Sequence, residues 1–289
     1  MFEHYRELLG ARAQLFAEAV EAEVVRRGGI LDPDGRSAIM PSGGAFTFEN
    51  LARTVKALPE EDLVEQVAHF FATLQDVEDL STLPWEELAP RLRLMLVPKS
   101  GERMVAQEMA DDLACQLVID SELSVRRLLT LDGLNCGGCD EEELFNIARD
   151  NTITDAQRHP FFLGEPGGDW LLLEDSWHYT ASLILYPVAV FEGLVKRDYD
   201  LGRGILLAAP SRHEAYFAAL SGPGSLLSNI KAIAQRLVES RKTRPGPITS
   251  SIYYFDEAGA QRVGFLNDHN QYVGSISGRV AERMSSGLI

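Results

Sequence analysis

Two cysteines, Cys136 and Cys139, are the residues whose type and spacing most directly suggest chemistry. The stretch "NCGGC" separates them by two glycines, and a helix is predicted to begin directly after Cys139. A C-x-x-C pair at a helix N-terminus is typical of dithiol oxidoreductases, because the helix dipole stabilises a thiolate. The acids at 140–143 disfavour that thiolate, and the Gly-Gly spacer is flexible. Two interpretations stay open: a dithiol oxidoreductase, or a glycine turn in which cysteine is a small apolar residue.

A zinc site is a third interpretation of the same cysteines. A structural zinc ion needs four ligands, and the sequence has neither a second C-x-x-C nor an H-x₃₋₅-H pair. Zinc would therefore require Cys115 and a distant histidine. We predict no metal ligands and no cofactor, and a zinc-stabilised scaffold stays as an alternative.

The stretch "APSRHEAYF" contains a second group of reactive residue types. His213 and Glu214 begin an H-E-x-x-H motif, but Phe217 stands where the second histidine would be, which excludes a zincin. Ser211 and Glu214 have the spacing of a helix capping box. A hydrolase-like site near Ser211, Arg212 and His213 is the alternative, and Arg212 could hold an anion with two parallel hydrogen bonds.

Acidic residues flank the predicted strand "ACQLVID" at 114–120. Asp112 precedes this strand and Asp120 ends it. Their spacing matches no metal-binding loop. We predict Arg212, His213, Asp120 and Asp112 as binding residues.

The overall charge limits the classes of partner. The chain of 289 residues has 43 acidic and 27 basic residues, giving a formal net charge of −16. Such a chain repels phosphate backbones, so we predict no nucleic-acid partner.

The longest apolar stretch, "ASLILYPVAVF", is too short to span a bilayer, so we predict no membrane partner. The N-terminus lacks a signal core and cysteines are few, which favours a cytoplasmic protein.

The apolar periodicity predicts an α+β fold. A mainly helical N-terminal portion is expected over 1–85, and a mixed or antiparallel sheet with flanking helices over 86–289, as two domains or one continuous domain. The boundary is placed at the turn-rich stretch 79–90. The helices are predicted at 1–27, 49–58, after Pro59, 101–113, 140–151, 211–220 and 224–240. The strands are predicted at 37–40, 45–48, 92–98 and 114–120, and in a C-terminal hairpin around "DEAG" followed by "QYVGSIS". The stretches 169–175 and 204–210 are predicted as core elements without a defined secondary structure. The stretch 121–134 fits either a strand or a helix.

The order of several segments resembles the YtpQ-like family of uncharacterised bacterial proteins, a domain of unknown function. The similar segments are "FTFENLARTVKAL", "MADDLACQLVIDSELSVRRL", "EEELFNIARDN", "YTASLILYPVAVF" and "AAPSRHEAYF". Asp112, Asp120 and Arg212 stand at matching positions. His213 replaces an acid that the family usually has, and the pair Cys136–Cys139 is not part of the family pattern. The resemblance implies no mechanism, because the family has no established activity.

The sequence alone contains no complete catalytic set. We therefore predict a non-enzymatic binding or regulatory protein of the bacterial cytoplasm, whose partner is a protein or a small molecule. The oligomeric state is left open, a homodimer included.

Overall fold

The computed structural model describes residues 5–32, 35, 37–39, 45–73, 83–99, 105–120, 125–128, 130–131, 134, 136–159, 161–164, 170–175, 177–195, 200, 202–244, 246–274 and 276–289. Within these ranges the chain forms two compact units: the first contains the residues up to Thr73 together with Thr243 and Arg244, and the second contains the remaining residues from Leu83 onwards. Helices combine with three antiparallel sheets, so the predicted α+β class is confirmed.

The N-terminal unit is mainly helical. Its helices and strands are α1 (Arg6–Leu9), α2 (Ala13–Arg26), β1 (Ile30–Leu31), β2 (Ser37–Ile39), β3 (Ala45–Thr47), α3 (Glu49–Lys56) and α4 (Leu63–Thr73). β1, β2 and β3 form an antiparallel sheet in that order. The prediction of one helix over 1–27 is wrong at Gly10, whose φ of 58° is outside the helical region and separates α1 from α2.

The helices of this unit enclose an apolar core. Residues three or four apart on α2 and α4 are buried against one another, including Phe16, Val20, Val24, Val67 and Phe71. Arg12 then satisfies carbonyls at the end of α3: its guanidinium donates to the oxygens of Lys56 (2.8 Å) and Leu58 (2.7 Å). A cation is favourable there because the carbonyl end of a helix carries partial negative charge.

The second unit begins with a small antiparallel sheet. The strands of this sheet and the helices that flank them are, in chain order, α5 (Trp85–Leu88), β4 (Leu92–Pro98), β5 (Ala106–Ala110), β6 (Leu113–Asp120), β7 (Val125–Arg127) and α6 (Glu141–Arg158). The strand order is β4-β6-β5, and β7 pairs with the end of β6. The outer edge of β4 pairs with no other strand of this sheet in the described ranges, and side-chain hydroxyls satisfy two of its amides. The Leu94 amide donates to Thr152 Oγ1, and the Leu96 amide donates to Ser182 Oγ.

The predicted helix at 101–113 is wrong over its described part. Residues 106–110 form β5, which pairs with β6 across a turn at Asp111 and Asp112. Apolar residues at 105, 109 and 110 suggested helical spacing, but the hairpin with the strongly apolar β6 decides the conformation. Residues 101–104 lie outside the described residues.

A seven-stranded antiparallel sheet forms the main part of the second unit. The strands of this sheet and the helices between and after them are, in chain order, β8 (Phe162–Gly164), β9 (Trp170–Glu174), α7 (Pro187–Ala189), β10 (Ile205–Ala208), β11 (Glu214–Ala219), α8 (Ser225–Thr243), β12 (Ser251–Asp256), β13 (Gly259–Leu266), β14 (Tyr272–Gly274) and α9 (Gly278–Ser285). The strand order is β14-β13-β12-β10-β11-β9-β8. The predicted helices α6 and α8 and the predicted hairpin β12–β13 are all present.

Both faces of this sheet are covered. α8 packs its apolar stripe on one face, where Leu206 and Tyr216 are buried against Ile230, Ile233 and Leu237. The opposite face is covered by the apolar stretch 181–195, which forms a 3₁₀ turn, α7 and a π turn in succession. No helix in the described ranges is both long and apolar enough to cross a membrane.

The predicted helix at 211–220 is also wrong. Residues 214–219 form the central strand β11, hydrogen-bonded to β9 and β10. Because both faces of β11 are buried, the residues that follow Glu214 form a continuous apolar run and give no alternating pattern. The capping-box interpretation of Ser211 and Glu214 is wrong for the same reason, since a strand and not a helix follows Ser211.

Candidate functional site

A cluster of basic and polar side chains forms where three segments of the second unit meet. These segments are the end of β6, the turn 177–180, and the turn 211–213 that leads into β11. Tyr179 donates a hydrogen bond to Asp120 Oδ1 (3.0 Å), and the rings of His178 and His213 are 5.7 Å apart. The backbone oxygen of Arg212 accepts from the amide of Ala181 (3.2 Å). The structure thus groups Asp120, Arg212 and His213, three of the four residues predicted to bind.

The backbone at Gly246 fixes the Arg212 side chain. The Arg212 amide donates to the Gly246 carbonyl (2.9 Å), and a Cβ added at Gly246 would lie 2.5 Å from Arg212 Nε. Gly246 also has a φ of +67°, in the left-handed region that favours glycine. The arginine therefore lies directly against a glycine that no other residue can replace without strain or a clash.

Arg212 has no acidic partner among the residues that the structure describes. Burial, and then the nearby charge of Arg127, lower the pKa of the Arg212 guanidinium. Arg93, in contrast, is paired: its guanidinium contacts Asp155 Oδ2 at 2.6 Å and 2.8 Å. A partly buried guanidinium that is not neutralised by a carboxylate is costly, because it has lost hydration without a compensating ion pair.

Two histidines lie beside this guanidinium, and burial lowers the pKa of both rings. Burial, and then the charges of His178 and Arg212, lower the pKa of His213 to about 4, although the carbonyls of Trp177 and Asp175 oppose the shift. The Nδ1 atom of His213 is buried and makes no hydrogen bond within the described part of the chain. Desolvation and Arg212 also lower the pKa of His178, while Asp120 opposes that shift.

Asp120 is the acidic member of the cluster. Burial raises its pKa, and the hydrogen bond from Tyr179 and the charges of Arg93 and His178 oppose this rise. Asp120 lies close to His178 and holds Tyr179 in place by the hydrogen bond. Its charge therefore acts on the histidine side of the cluster and does not pair with Arg212.

Asp112 lies elsewhere. It precedes β6 whereas Asp120 ends that strand, so about 25 Å of extended chain separates the two carboxylates. Asp112 accepts hydrogen bonds from the hydroxyls of Thr249 (3.0 Å), Ser251 (2.7 Å) and Tyr253 (2.7 Å). Its oxygens are thus occupied by groups of the large sheet, and its role here is to join β12 to the turn between β5 and β6.

This network makes part of the stability depend on pH. Burial alone would raise the pKa of Asp112, but the three hydroxyls and Arg262 together hold it below its ordinary value. A depressed pKa contributes stability that is full above the ordinary pKa of about 4 and is lost as pH falls through the folded-state pKa. We expect Asp112→Asn to lower the free energy of unfolding by about 1.5 kcal/mol at pH 7. In urea titrations, the difference in unfolding free energy between the parent and Asp112→Asn should shrink below a pH of about 4. A difference that stays constant with pH would show that the stabilisation does not come from the ionised Asp112 carboxylate.

The cysteine pair forms a turn that leads into α6. Cys139 N donates to Cys136 O (3.3 Å), and both central glycines have positive φ, 64° at Gly137 and 99° at Gly138. The Cys139 thiol donates to Cys136 O (2.9 Å), and burial and Glu143 raise its pKa. This geometry favours the turn interpretation, because a redox-active cysteine needs a stabilised thiolate.

The serine and histidine at 211 and 213 do not form a catalytic pair. Ser211 Oγ donates to Glu214 Oε2 (3.0 Å), and the contact that it accepts from His213 comes from the backbone amide (3.4 Å). No hydrogen bond joins the His213 ring to the hydroxyl in the described region. The general base that would activate a serine nucleophile is therefore not in place.

The third cysteine also lacks a stabilised thiolate. Cys115 is buried on β6, and burial raises the pKa of its thiol to about 12. Over the ranges that the structure covers, no three His, Cys, Asp or Glu side chains are grouped so that they could hold a metal ion.

Sequence reasoning missed His178, Tyr179 and Arg127. The stretch "DSWHYT" between two apolar segments was the available signal, because a dense aromatic and polar turn inside a core region needs an explanation. The resemblance to the YtpQ-like family stays a prediction. Comparison of the chain with family models, curated proteins and solved structures gave no match.

Proposed function

We propose that this protein is a non-enzymatic binding protein that holds a small ligand by an oxyanion group, a phosphate or a carboxylate, at Arg212. The observation that carries the proposal is the partly buried Arg212 guanidinium, which has no carboxylate partner among the described residues. A chain with a net charge of −16 has many acids that could have neutralised this arginine. Leaving it unpaired is favourable only if another anion takes that place.

The chemistry of the neighbouring groups suits an oxyanion. A guanidinium presents several N–H donors in a fixed plane that matches the spacing of two oxyanion oxygens. His178 and His213 lie beside the guanidinium, and Arg127 adds positive charge. The buried and unpartnered Nδ1 of His213 is a group that a bound ligand could satisfy.

The proposal is of binding without catalysis because the same groups lack a nucleophile and a base. Ser211 is engaged by Glu214, and the histidines have lowered pKa values that make them weak bases. Asp120, the acidic member of the cluster, accepts a hydrogen bond from Tyr179. We place this binding role in the cytoplasm, as the composition predicts, and leave the natural ligand as a small molecule or an acidic group of a protein.

Titration with sulfate tests the proposal, because sulfate is a tetrahedral oxyanion whose charge stays constant over the useful pH range. We expect saturable binding by calorimetry at pH 6, and Arg212→Ala should weaken it by about 30-fold. Arg236→Ala is the matched control, since Arg236 is exposed on α8 and its loss changes the net charge equally. Acetate should compete if the natural group is a carboxylate, and inorganic phosphate should compete more strongly if it is a phosphate.

Gly246→Ala supplies a second variant that leaves every charge in place. The added Cβ would displace Arg212 Nε, so sulfate binding should weaken by about tenfold if the position of the guanidinium matters. Equal sulfate affinity in the parent and in Arg212→Ala would overturn the proposal. So would equal losses in Arg212→Ala and Arg236→Ala, which would indicate a general charge effect.

The pH dependence has a defined sign. The titratable groups around Arg212 are His178, His213 and Asp120, and protonation of each makes the cluster more positive. Since the His213 pKa is about 4 and that of His178 is also lowered, both rings gain charge only below their ordinary range. Sulfate affinity should therefore rise as pH falls from 7 towards 4.5. His178→Asn with His213→Asn should reduce that rise, and a rise of undiminished size would exclude the histidines.

A further inference from the structure

A cavity of about 540 Å³ opens between the small sheet and α6, in a region separate from the Arg212 cluster. Its size lies within the range of small-molecule sites. Apolar side chains from four different elements contribute to its lining: Leu94 of β4, Met109 of β5, Phe145 of α6, and Leu185. Such a lining favours an apolar ligand body, because each buried apolar surface is removed from water.

Cys115 and Tyr186 are the polar residues of the lining that are not exposed, since the other polar and charged lining residues are all exposed. The Tyr186 hydroxyl is buried, and its polar neighbour is the Cys115 thiol, a weak hydrogen-bond partner. Within the part of the chain that the structure describes, the hydroxyl makes no hydrogen bond of normal geometry. A buried hydroxyl with only a weak partner costs free energy. A phenol is a good donor, so the group that would best satisfy it is a hydrogen-bond acceptor.

The charges near the cavity argue against a charged ligand. Of the charged lining residues, Glu108 forms an ion pair with Lys99 (2.7 Å) and Arg149 forms one with Asp150 (3.0 Å). The lining acid Glu142 forms no ion pair within the described ranges. An anion would be repelled by Glu142. Burial raises the pKa of both the Cys115 thiol and the Tyr186 phenol, which shows that the interior disfavours charge.

We propose that this cavity binds a small uncharged molecule with an apolar body about the size of an aromatic ring and one hydrogen-bond acceptor directed at the Tyr186 hydroxyl. The binding is reversible and involves no bond formation. It is independent of oxyanion binding at Arg212, because the two sites share no residue.

Fluorine NMR titration with two matched probes tests this inference. Para-fluoroacetophenone has a ring and a carbonyl acceptor, and para-fluoroethylbenzene has nearly the same shape without the acceptor. The parent protein should bind the ketone about fivefold more tightly, the gain from one hydrogen bond. Tyr186→Phe should bind both probes with equal affinity. Its thermal midpoint should stay close to that of the parent, because the hydroxyl that is removed contacts only a weak partner, the Cys115 thiol, in the described part of the chain.

A blocked cavity supplies the second arm. Asn146 is exposed on α6 and lines the cavity, so Asn146→Trp should fill it and abolish binding of both probes. Glu143→Trp, which places the same side chain on an exposed α6 position outside the lining, should bind both probes like the parent. Arg212→Ala should also leave probe binding unchanged, which separates this site from the oxyanion site. The inference is overturned if the parent binds neither probe, if Tyr186→Phe keeps the preference for the ketone, or if Asn146→Trp binds like Glu143→Trp.

Discussion

Replacing Glu214 by alanine should lower the free energy of unfolding by about 3 kcal/mol. The Glu214 side chain is buried at the start of β11. It accepts hydrogen bonds from Ser211 Oγ (3.0 Å) and Tyr216 OH (3.1 Å), and also from the hydroxyl of Ser240 on α8. Alanine would leave three hydroxyls without this acceptor and open a cavity between α8 and the sheet.

The same carboxylate also affects the proposed binding site. Ser211 and Glu214 bracket Arg212 and His213, so the turn that presents the guanidinium is held from both ends. Glu214→Gln keeps the volume and one acceptor oxygen, and we expect it to lose only about 1 kcal/mol. Glu257→Ala, at an exposed hairpin position, is the control for loss of an acid. Urea unfolding at pH 7 measures all three. A loss in Glu214→Ala no larger than in Glu257→Ala would show that the buried network does not stabilise the fold.

The regular elements that the sequence predicted correctly are those with a strong local signal. α6 has three acids in its first turn and the Asp140 side chain as an N-cap that accepts from Glu143 N (2.9 Å). α8 has one apolar stripe along its length. These features are properties of a single segment, so a sequence without its tertiary partners already contains them.

The two wrong helices have different physical causes. β11 is buried on both faces and therefore lacks the alternation that marks a half-exposed strand. β5 is a partly exposed edge strand, and its pairing with the apolar β6, a contact outside its own segment, decides its conformation. The spacing of Ser211 and Glu214 did predict a real contact, since the hydroxyl donates to the carboxylate. It assigned that contact to a helix cap, whereas the two residues flank a turn before a strand. Residue spacing therefore predicts which side chains can form a contact. It is a weaker guide to the backbone conformation of the residues between them.

The candidate site could be predicted only in part for a related reason. Asp120, Arg212 and His213 were identified, but their convergence depends on the turn at 177–180, which is far away in sequence. His178 and Tyr179 join the cluster because the stretch 181–195 packs on the large sheet and draws that turn beside Arg212. Asp112 precedes the predicted strand and Asp120 ends it, so the sequence already places the two aspartates at opposite strand ends. The sequence does not show which of these ends meets Arg212, because that depends on the turn at 177–180.

Replacing Asp256 by alanine should lower the free energy of unfolding by about 3 kcal/mol and release α9 from the sheet. Asp256 ends β12 and is 1% exposed. Two arginines of α9 reach its carboxylate, Arg279 at 3.4 Å and Arg283 at 3.3 Å, and the amide of Ala258 donates to it (2.9 Å). The carboxylate thus organises the β12–β13 turn and holds the last helix at the same time.

Hydrogen exchange shows which part of the fold loses stability in Asp256→Ala and by how much. Amides of 278–285 should lose protection in Asp256→Ala, while those of α8 should keep theirs, because α9 is fixed by the arginines and by one buried apolar residue, Val280. Asp268→Ala, an exposed change in the next turn, serves as the control. A double-mutant cycle between Asp256→Ala and Arg283→Ala should show a coupling of about 1 kcal/mol or more, since each change removes the partner of the other. Additive losses, or uniform deprotection of the whole large sheet, would mean that Asp256 stabilises the hairpin alone and that α9 is held by other contacts.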